Sequence, residues 1–300
     1  MLSDGKVSII LPTYNRASLL AQCINSVLRQ TYRNIELIIC DDCSSDTTEA
    51  IIGSIVGENE NIIYIRNNAR VGLPGNRNIG ISNSSGDFVF FIEDDMILSE
   101  QCVENLMACY HFKSRRGHNV GGIAPALITS YSSQLKVQSF LNNACRLSNK
   151  ELKKPCDVCR YTGLRYYNFS PDFNGIQEIP DMHACSFYPK KVLIKVKGYD
   201  ARCYKGNFLY EETDLNQRIT FLGYRFYFQP RAILFHNIIV QGGCRVSTLK
   251  YAYYFIVNHL IFLKKNYGMR VLLMAPLFLI LCSHIGLKSV IKTMYSTMVV

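Results

Sequence analysis

Short, continuously apolar runs alternate with helical periodicity through the first hundred residues, and this alternation constrains the fold more than any other feature. VSIIL (7–11), IELIIC (35–40), NIIYIR (61–66) and DFVFFI (87–92) read as strands. Between them LLAQCINSVLRQ (19–30), DTTEAIIGSIV (46–56) and LPGNRNIGISNS (73–84) read as helices, with Ser45 or Asp46 as a cap for the second. Strands that are apolar at every position, rather than every second one, need cover on both faces, as in a parallel sheet. The expected fold is therefore α/β, a doubly wound, mostly parallel sheet flanked by helices. With 300 residues, 48% of them hydrophobic, the chain has the material for a large core.

In open sheets of this kind ligands bind beyond the carboxyl ends of the strands, so the loops that follow them matter most. These are PTYNR, DDCSSD, NNARVG and EDDM, each polar and two of them carrying acid pairs. In EDDM, Glu93, Asp94 and Asp95 follow directly on the apolar strand. Three adjacent carboxylates repel one another, so they require either open water that screens them or a divalent cation.

The later sequence is less regular. Residues 112–180 mix basic, aromatic and polar types without repeat or low-complexity tract. Order returns with a helix from about 212 to 222, ending near Gly223, and a strand YRFYFQ up to Pro230. That helix opens on EETDL, a second acid cluster, which alone would be explained by the helix dipole. From Lys250 the character changes: YAYYFIVNHLIFL (251–263) and VLLMAPLFLILCSHIGL (271–287) carry no charge, and Lys264, Lys265 and Arg270 lie between them. Seventeen apolar residues are at the short edge of what crosses a bilayer, so a membrane-embedded or interfacial tail is favoured over a buried helix pair.

The 33 basic against 23 acidic residues, a formal charge of +10, suit an acidic partner. No zinc-finger spacing or RNA-binding aromatic motif points to nucleic acid, and the lone CxxC, Cys156 and Cys159, has no second pair to complete a zinc site. Twelve cysteines scattered through an apolar chain with no signal peptide at its start read as reduced, on an enzyme facing the cytoplasm.

Taken together, VSIILPTYNR, IELIICDDCSSD, GLPGNRNIG, FVFFIEDDM, GYDARCYKGNFLYEETDL and GYRFYFQPRAILFH resemble, in order, the motifs of an inverting family 2 glycosyltransferase of the GT-A fold. The resemblance covers about residues 6–237. It implies a metal-dependent enzyme that moves a single sugar from a nucleotide-diphosphate sugar to a glycan or polyprenyl-linked acceptor. It divides the chain into a transferase domain, 1–245, and an apolar helical tail, 246–300. Within the domain, 1–110 would bind the nucleotide sugar and 111–245 the acceptor.

The same resemblance assigns roles. Asp95 would bind Mg²⁺ or Mn²⁺, with Asp94 nearer the sugar or ribose; Glu93 stands where the family usually has Asp. His236 would complete the metal site or touch phosphate. Asp42 would accept hydrogen bonds from the base, flanked by Tyr14 and the backbone near Pro12, and Arg77 would lie near the diphosphate. Glu212 aligns with the catalytic base, with Glu211 supporting it or touching the acceptor and Asp214 ordering the helix. His183 falls in the acceptor region without a role. A dolichyl-phosphate sugar synthase, or an inactive sugar-nucleotide-binding membrane protein, remains an alternative. A processive synthase is disfavoured because its chain-holding motif needs a Trp, and the chain has none. The implied location is the cytoplasmic face of the cell membrane.

Overall fold

The computed structural model describes residues 5–57, 59–129, 154–237, 244 and 246–283. Strands β1 (Val7–Thr13), β2 (Ile35–Asp41), β3 (Ile62–Arg66) and β4 (Phe88–Phe91) alternate with helices α1 (Ala17–Leu28), α2 (Thr48–Val56) and α3 (Gly72–Asn83). The chain continues through β5 (Met96–Leu98), α4 (Cys102–Ser114), β6 (Val120–Thr129), β7 (Cys156–Val158), β8 (Arg165–Tyr167), β9 (Gln177–Ile179) and β10 (Phe187–Pro189). Helices α5 (Lys190–Lys195) and α6 (Glu211–Phe221), strand β11 (Arg225–His236) and helix α7 (Thr248–Tyr267) follow.

One sheet runs in the order β3-β2-β1-β4-β10-β6-β11-β5, with β9 also paired to β11. The β3-β2-β1-β4 half is parallel, as is β6 with β11, while β10 is inserted antiparallel between β4 and β6. Burial on both faces explains the continuous apolar runs of β1, β2 and β4. Ile9 and Leu11 of β1 pack under α1 with Leu20, Ile24 and Val27, whereas Ile10 points the other way into a core shared with Ile81 of α3 and Leu215 of α6. The parallel register sets Thr13 beside Asp41 and Asp41 beside Arg66. The polar loops after these strands therefore open along one edge of the sheet.

Two boundaries differ from the sequence reading. The strand expected to stop at Pro230 runs on to His236, because the pairing of β11 with β6 shifts register between Gln229 and Ile233. A bulge there absorbs the residue that has no N–H to donate. The apolar tail is helical through Tyr267, turns at Gly268 (φ +54°) and Gly268–Arg270, and is helical again over 271–283. The remainder of its second apolar run, including His284, lies outside the described residues.

Candidate active site

The acid triad after β4 is neither exposed nor left to repel itself. Asp94 and Asp95 are 5% and 3% exposed, and their counter-charge is Arg16, from the loop after β1. Its Nη1 lies 2.7 Å from Asp94 Oδ1 and 2.9 Å from Asp95 Oδ2. Thr13 Oγ1 donates to Asp94 Oδ2 at 2.9 Å. Open water is thus excluded as the answer to the clustered charge, and a guanidinium stands where the sequence suggested only a cation or solvent. Burial, reinforced by Asp95 and opposed by Arg16, raises the Asp94 carboxyl to about 6. For Asp95 burial pushes upward too, but His236 and Arg16 outweigh it and hold the carboxyl below its ordinary value. His236 ends β11, opposite Met96 of β5, and its Nε2 is 3.4 Å from Asp95 Oδ2.

Arg77 joins the two acid clusters. It projects from α3 and is completely buried, pairing through Nη1 with Glu211 Oε1 and through Nη2 with Glu93 Oε1 at 3.1 Å. Its ring neighbours are Tyr199, 5.2 Å from the guanidinium carbon, and Phe91 at 6.0 Å. A charge so enclosed persists only because two carboxylates answer it. Arg77, fully enclosed, ties the strand end at Glu93 to the start of α6. Burial drives the Glu211 carboxyl upward against the pull of Arg77.

Glu212 is placed differently from its neighbour. It is half-buried, and among the described residues its carboxylate takes no hydrogen bond or ion pair from another side chain. Burial dominates and raises it to about 7, with Arg77 opposing and Asp181 and Glu93 adding to the rise. Asp214 faces away, bound by Arg218 Nε at 2.9 Å, Lys265 Nζ at 2.9 Å and Asn266 Nδ2 at 3.0 Å, which fixes α6 to α7. His183 is a structural ring. Its Nε2 meets the Pro125 carbonyl at 3.0 Å, its Nδ1 accepts the Cys185 amide, and burial lowers it to about 4.

The loops after β1, β2 and β3 form the other wall. Asp42 accepts the backbone amides of Val71 and Gly72 at 2.7 and 3.0 Å and Asn67 Nδ2 at 3.2 Å, so it anchors the N-terminus of α3. The Arg70 guanidinium carbon stacks 3.8 Å above the Tyr14 ring, at the rim beside Asp42. Pro12, in β1, pairs with Cys40 of β2. Gly72 has φ +78° and no room for a Cβ, because the Phe208 ring lies 2.6 Å from where it would stand. That contact brings the turn before α6 against the loop that carries Arg70. The N-cap of α2 is Thr47 rather than Ser45 or Asp46; Asp46 instead accepts the Thr48 amide at 3.1 Å and the Ala17 amide of α1 at 3.2 Å, joining the two helix starts.

Sequence reasoning missed Arg16 and Arg70. Each follows a strand within a loop that was singled out, and each is a cation facing clustered acids, which is the signal that could have found it.

A mostly parallel sheet flanked by helices, with acids gathered in the loops at its strand ends, is a fold of the GT-A class. The chain belongs to the family described as glycosyl transferase family 2, whose model matches residues 8–170. The GalNAc(5)-diNAcBac-PP-undecaprenol beta-1,3-glucosyltransferase of Campylobacter jejuni is 38% identical over 103 residues, 34% of this chain and 33% of that protein. The match thus spans about a third of the length of that relative. In fold, the chain is similar to S. aureus TarS 1-349 in complex with UDP-GlcNAc (TM-score 0.58, 15% identity, 91% of this chain and 71% of that one). It is likewise similar to GalNAc-T7 with UDP, GalNAc and Mn²⁺ (TM-score 0.63, 16% identity, 87% and 48%).

Proposed function

We propose that the chain transfers one sugar, with inversion, from a nucleoside-diphosphate sugar to a glycan carried on a polyprenyl diphosphate, with Glu212 as general base. The observation that carries this is the contrast within α6. Glu211 is buried and bound to Arg77, while the half-buried Glu212 takes no bond from another side chain among the described residues and is raised to about 7. A base poised near neutral pH is what proton abstraction from a sugar hydroxyl needs.

In this reading the acceptor hydroxyl gives its proton to a Glu212 oxygen as its own oxygen forms the new bond to the anomeric carbon. The bond from that carbon to the diphosphate breaks on the opposite face, and the electron pair leaves with the diphosphate. Arg77 is a positioning residue that holds Glu211 and Glu93 in register across the cleft. Asp42, Tyr14, Arg70 and the backbone at Pro12 serve the nucleoside. Arg16 and Asp94 serve the region of the sugar and diphosphate, with Glu211 supporting the base.

Asp95 and His236 fit a divalent cation. Their polar atoms already converge, and a carboxylate oxygen with an imidazole nitrogen suits Mn²⁺ or Mg²⁺, ions that share their remaining coordination with phosphate and water. Among the described residues no group of three or more metal-ligating side chains is present, so the donor and water would have to supply the other ligands. Such an ion would neutralise charge developing on the departing diphosphate. The presence of Mn²⁺ and UDP in the GalNAc-T7 structure, UDP-GlcNAc in TarS, and the undecaprenol-linked substrate in the name of the C. jejuni enzyme support these choices.

Residues 1–110 thereby bind the donor, 111–245 the acceptor, and the tail holds the enzyme at the cytoplasmic face of the membrane. The test is UDP release from a panel of UDP-sugars by the full chain, with Mn²⁺ and an undecaprenyl-diphosphate-linked acceptor. Glu212→Gln is expected to abolish transfer while UDP binding persists; transfer undiminished in that variant would remove the assignment.

A further inference from the structure

Residues Lys250–Ser283 are long and apolar enough to cross a bilayer, yet they do not form one rod. After the turn at 268–270 the chain doubles back: the Phe278 ring lies 4.0 Å from His259 and 5.9 Å from Phe255, both on α7. The inner face of this hairpin is committed to the transferase domain. Tyr210, the residue before Glu211, packs against Phe262 at 5.5 Å and His259 at 4.9 Å. Lys265 bonds Asp214 and Asp200, and Asn258 exchanges hydrogen bonds with the Lys205 backbone. Tyr210 has φ +75° and Phe208 φ +57°, values that bulky residues rarely hold without support from their surroundings. Here α7 supplies that support for Tyr210, two residues before the proposed base.

The outer face is apolar, and none of the described residues covers it. Leu272, Leu273, Leu277 and Ile280 are exposed, Leu273 by 74% and Ile280 by 64%, and Met269 joins them at the turn. No Asp or Glu occurs in 246–283, whereas Lys250, Lys264 and Arg270 are exposed around the hairpin. An exposed apolar face with only positive charge at its rim is complementary to an anionic lipid surface. Turning α7 across the bilayer would instead strip Lys265, Asn258 and His259 of the partners that satisfy them.

We infer that residues 248–283 lie in the plane of an anionic bilayer as a doubled-back hairpin, its outer face in lipid and its inner face clamping the turn that presents Glu212. This rests on the proposed membrane location and adds its geometry: in-plane rather than spanning, and part of the active-site scaffold rather than a detachable anchor.

The chain contains no tryptophan, so a single introduced one reports its own depth. Leu273→Trp and Ile280→Trp share one helix face and stand about 10 Å apart along the axis. Each full-length variant is mixed with phosphatidylcholine vesicles containing phosphatidylglycerol and lipids brominated either high or low on the acyl chain. The expected result is equal quenching at both positions, stronger by the high bromines, with at least tenfold weaker vesicle binding when phosphatidylglycerol is omitted. Ile194→Trp, on α5, should stay unquenched.

Unequal depths at 273 and 280 would overturn the in-plane geometry while leaving the membrane location standing. Absence of quenching and of vesicle binding would overturn both. Quenching of Ile194→Trp to the same degree would show general adsorption and overturn the assignment of the face. Concentration-dependent dimers in lipid-free buffer, lost in Leu273→Ser, would assign the face to a second copy of the chain and overturn the proposal.

Discussion

Glu212→Gln should make the enzyme both far slower and, above neutral pH, more stable, and the two effects have one cause. A carboxyl raised to about 7 from an ordinary 4.5 is protonated in the folded chain where the unfolded chain has already ionised. The folded state therefore binds the extra proton between about pH 4.5 and 7, and its stability falls as pH rises through that window. At about 1.4 kcal/mol per pH unit the ionised parent loses about 3 kcal/mol by pH 8, reduced to about 2 kcal/mol by the partial solvent contact of the side chain. Gln keeps the shape and does not titrate, so the variant escapes this loss. It should melt about 5 °C above the parent at pH 8 and level with it at pH 5. Loss of a general base should lower turnover by about 10²–10⁴-fold, read as UDP release, while UDP affinity holds. A variant as active as the parent, or one whose stability relative to the parent does not change with pH, would refute the reasoning.

The same carboxyl predicts that parent kcat/KM rises with pH on an apparent pKa near 7 and then levels; a flat profile from pH 5.5 to 8.5 would count against Glu212 as base. Arg77→Met removes the cation between two enclosed carboxylates and should destabilise the fold by about 3–5 kcal/mol in urea denaturation; a cost under about 1 kcal/mol would show that the link is dispensable. Removing metal with EDTA should stop UDP release and Mn²⁺ should restore it, with Asp95→Asn raising the Mn²⁺ needed for half activation by at least about tenfold.

What was legible in the sequence was whatever depends on local pattern. The continuous apolar runs of β1 to β4 carry the parallel sheet, and the acid clusters at 93–95 and 211–214 stand out as local runs that Arg77 links through Glu93 and Glu211. Pairings across long separations were not legible. Arg16 meets Asp94 and Asp95 after 78 and 79 residues, and Arg77 meets Glu211 after 134, distances over which no periodicity operates. The antiparallel insertion of β10 was hidden because Phe187–Pro189 is three residues long, too short to show a period. The tail was recognised by composition, but its doubling back depends on Gly268 in a left-handed conformation and on rings at 255, 259 and 278 meeting, which hydropathy does not encode.

Anomalous diffraction from crystals grown with UDP and Mn²⁺ puts the matter to its sharpest trial. A single manganese peak touching Asp95 and His236, with the nucleotide beside Tyr14 and the Glu212 carboxylate lining the same cavity, is the predicted outcome. Manganese and UDP bound at any other side chains, or a Glu212 carboxylate walled off from them, would contradict it.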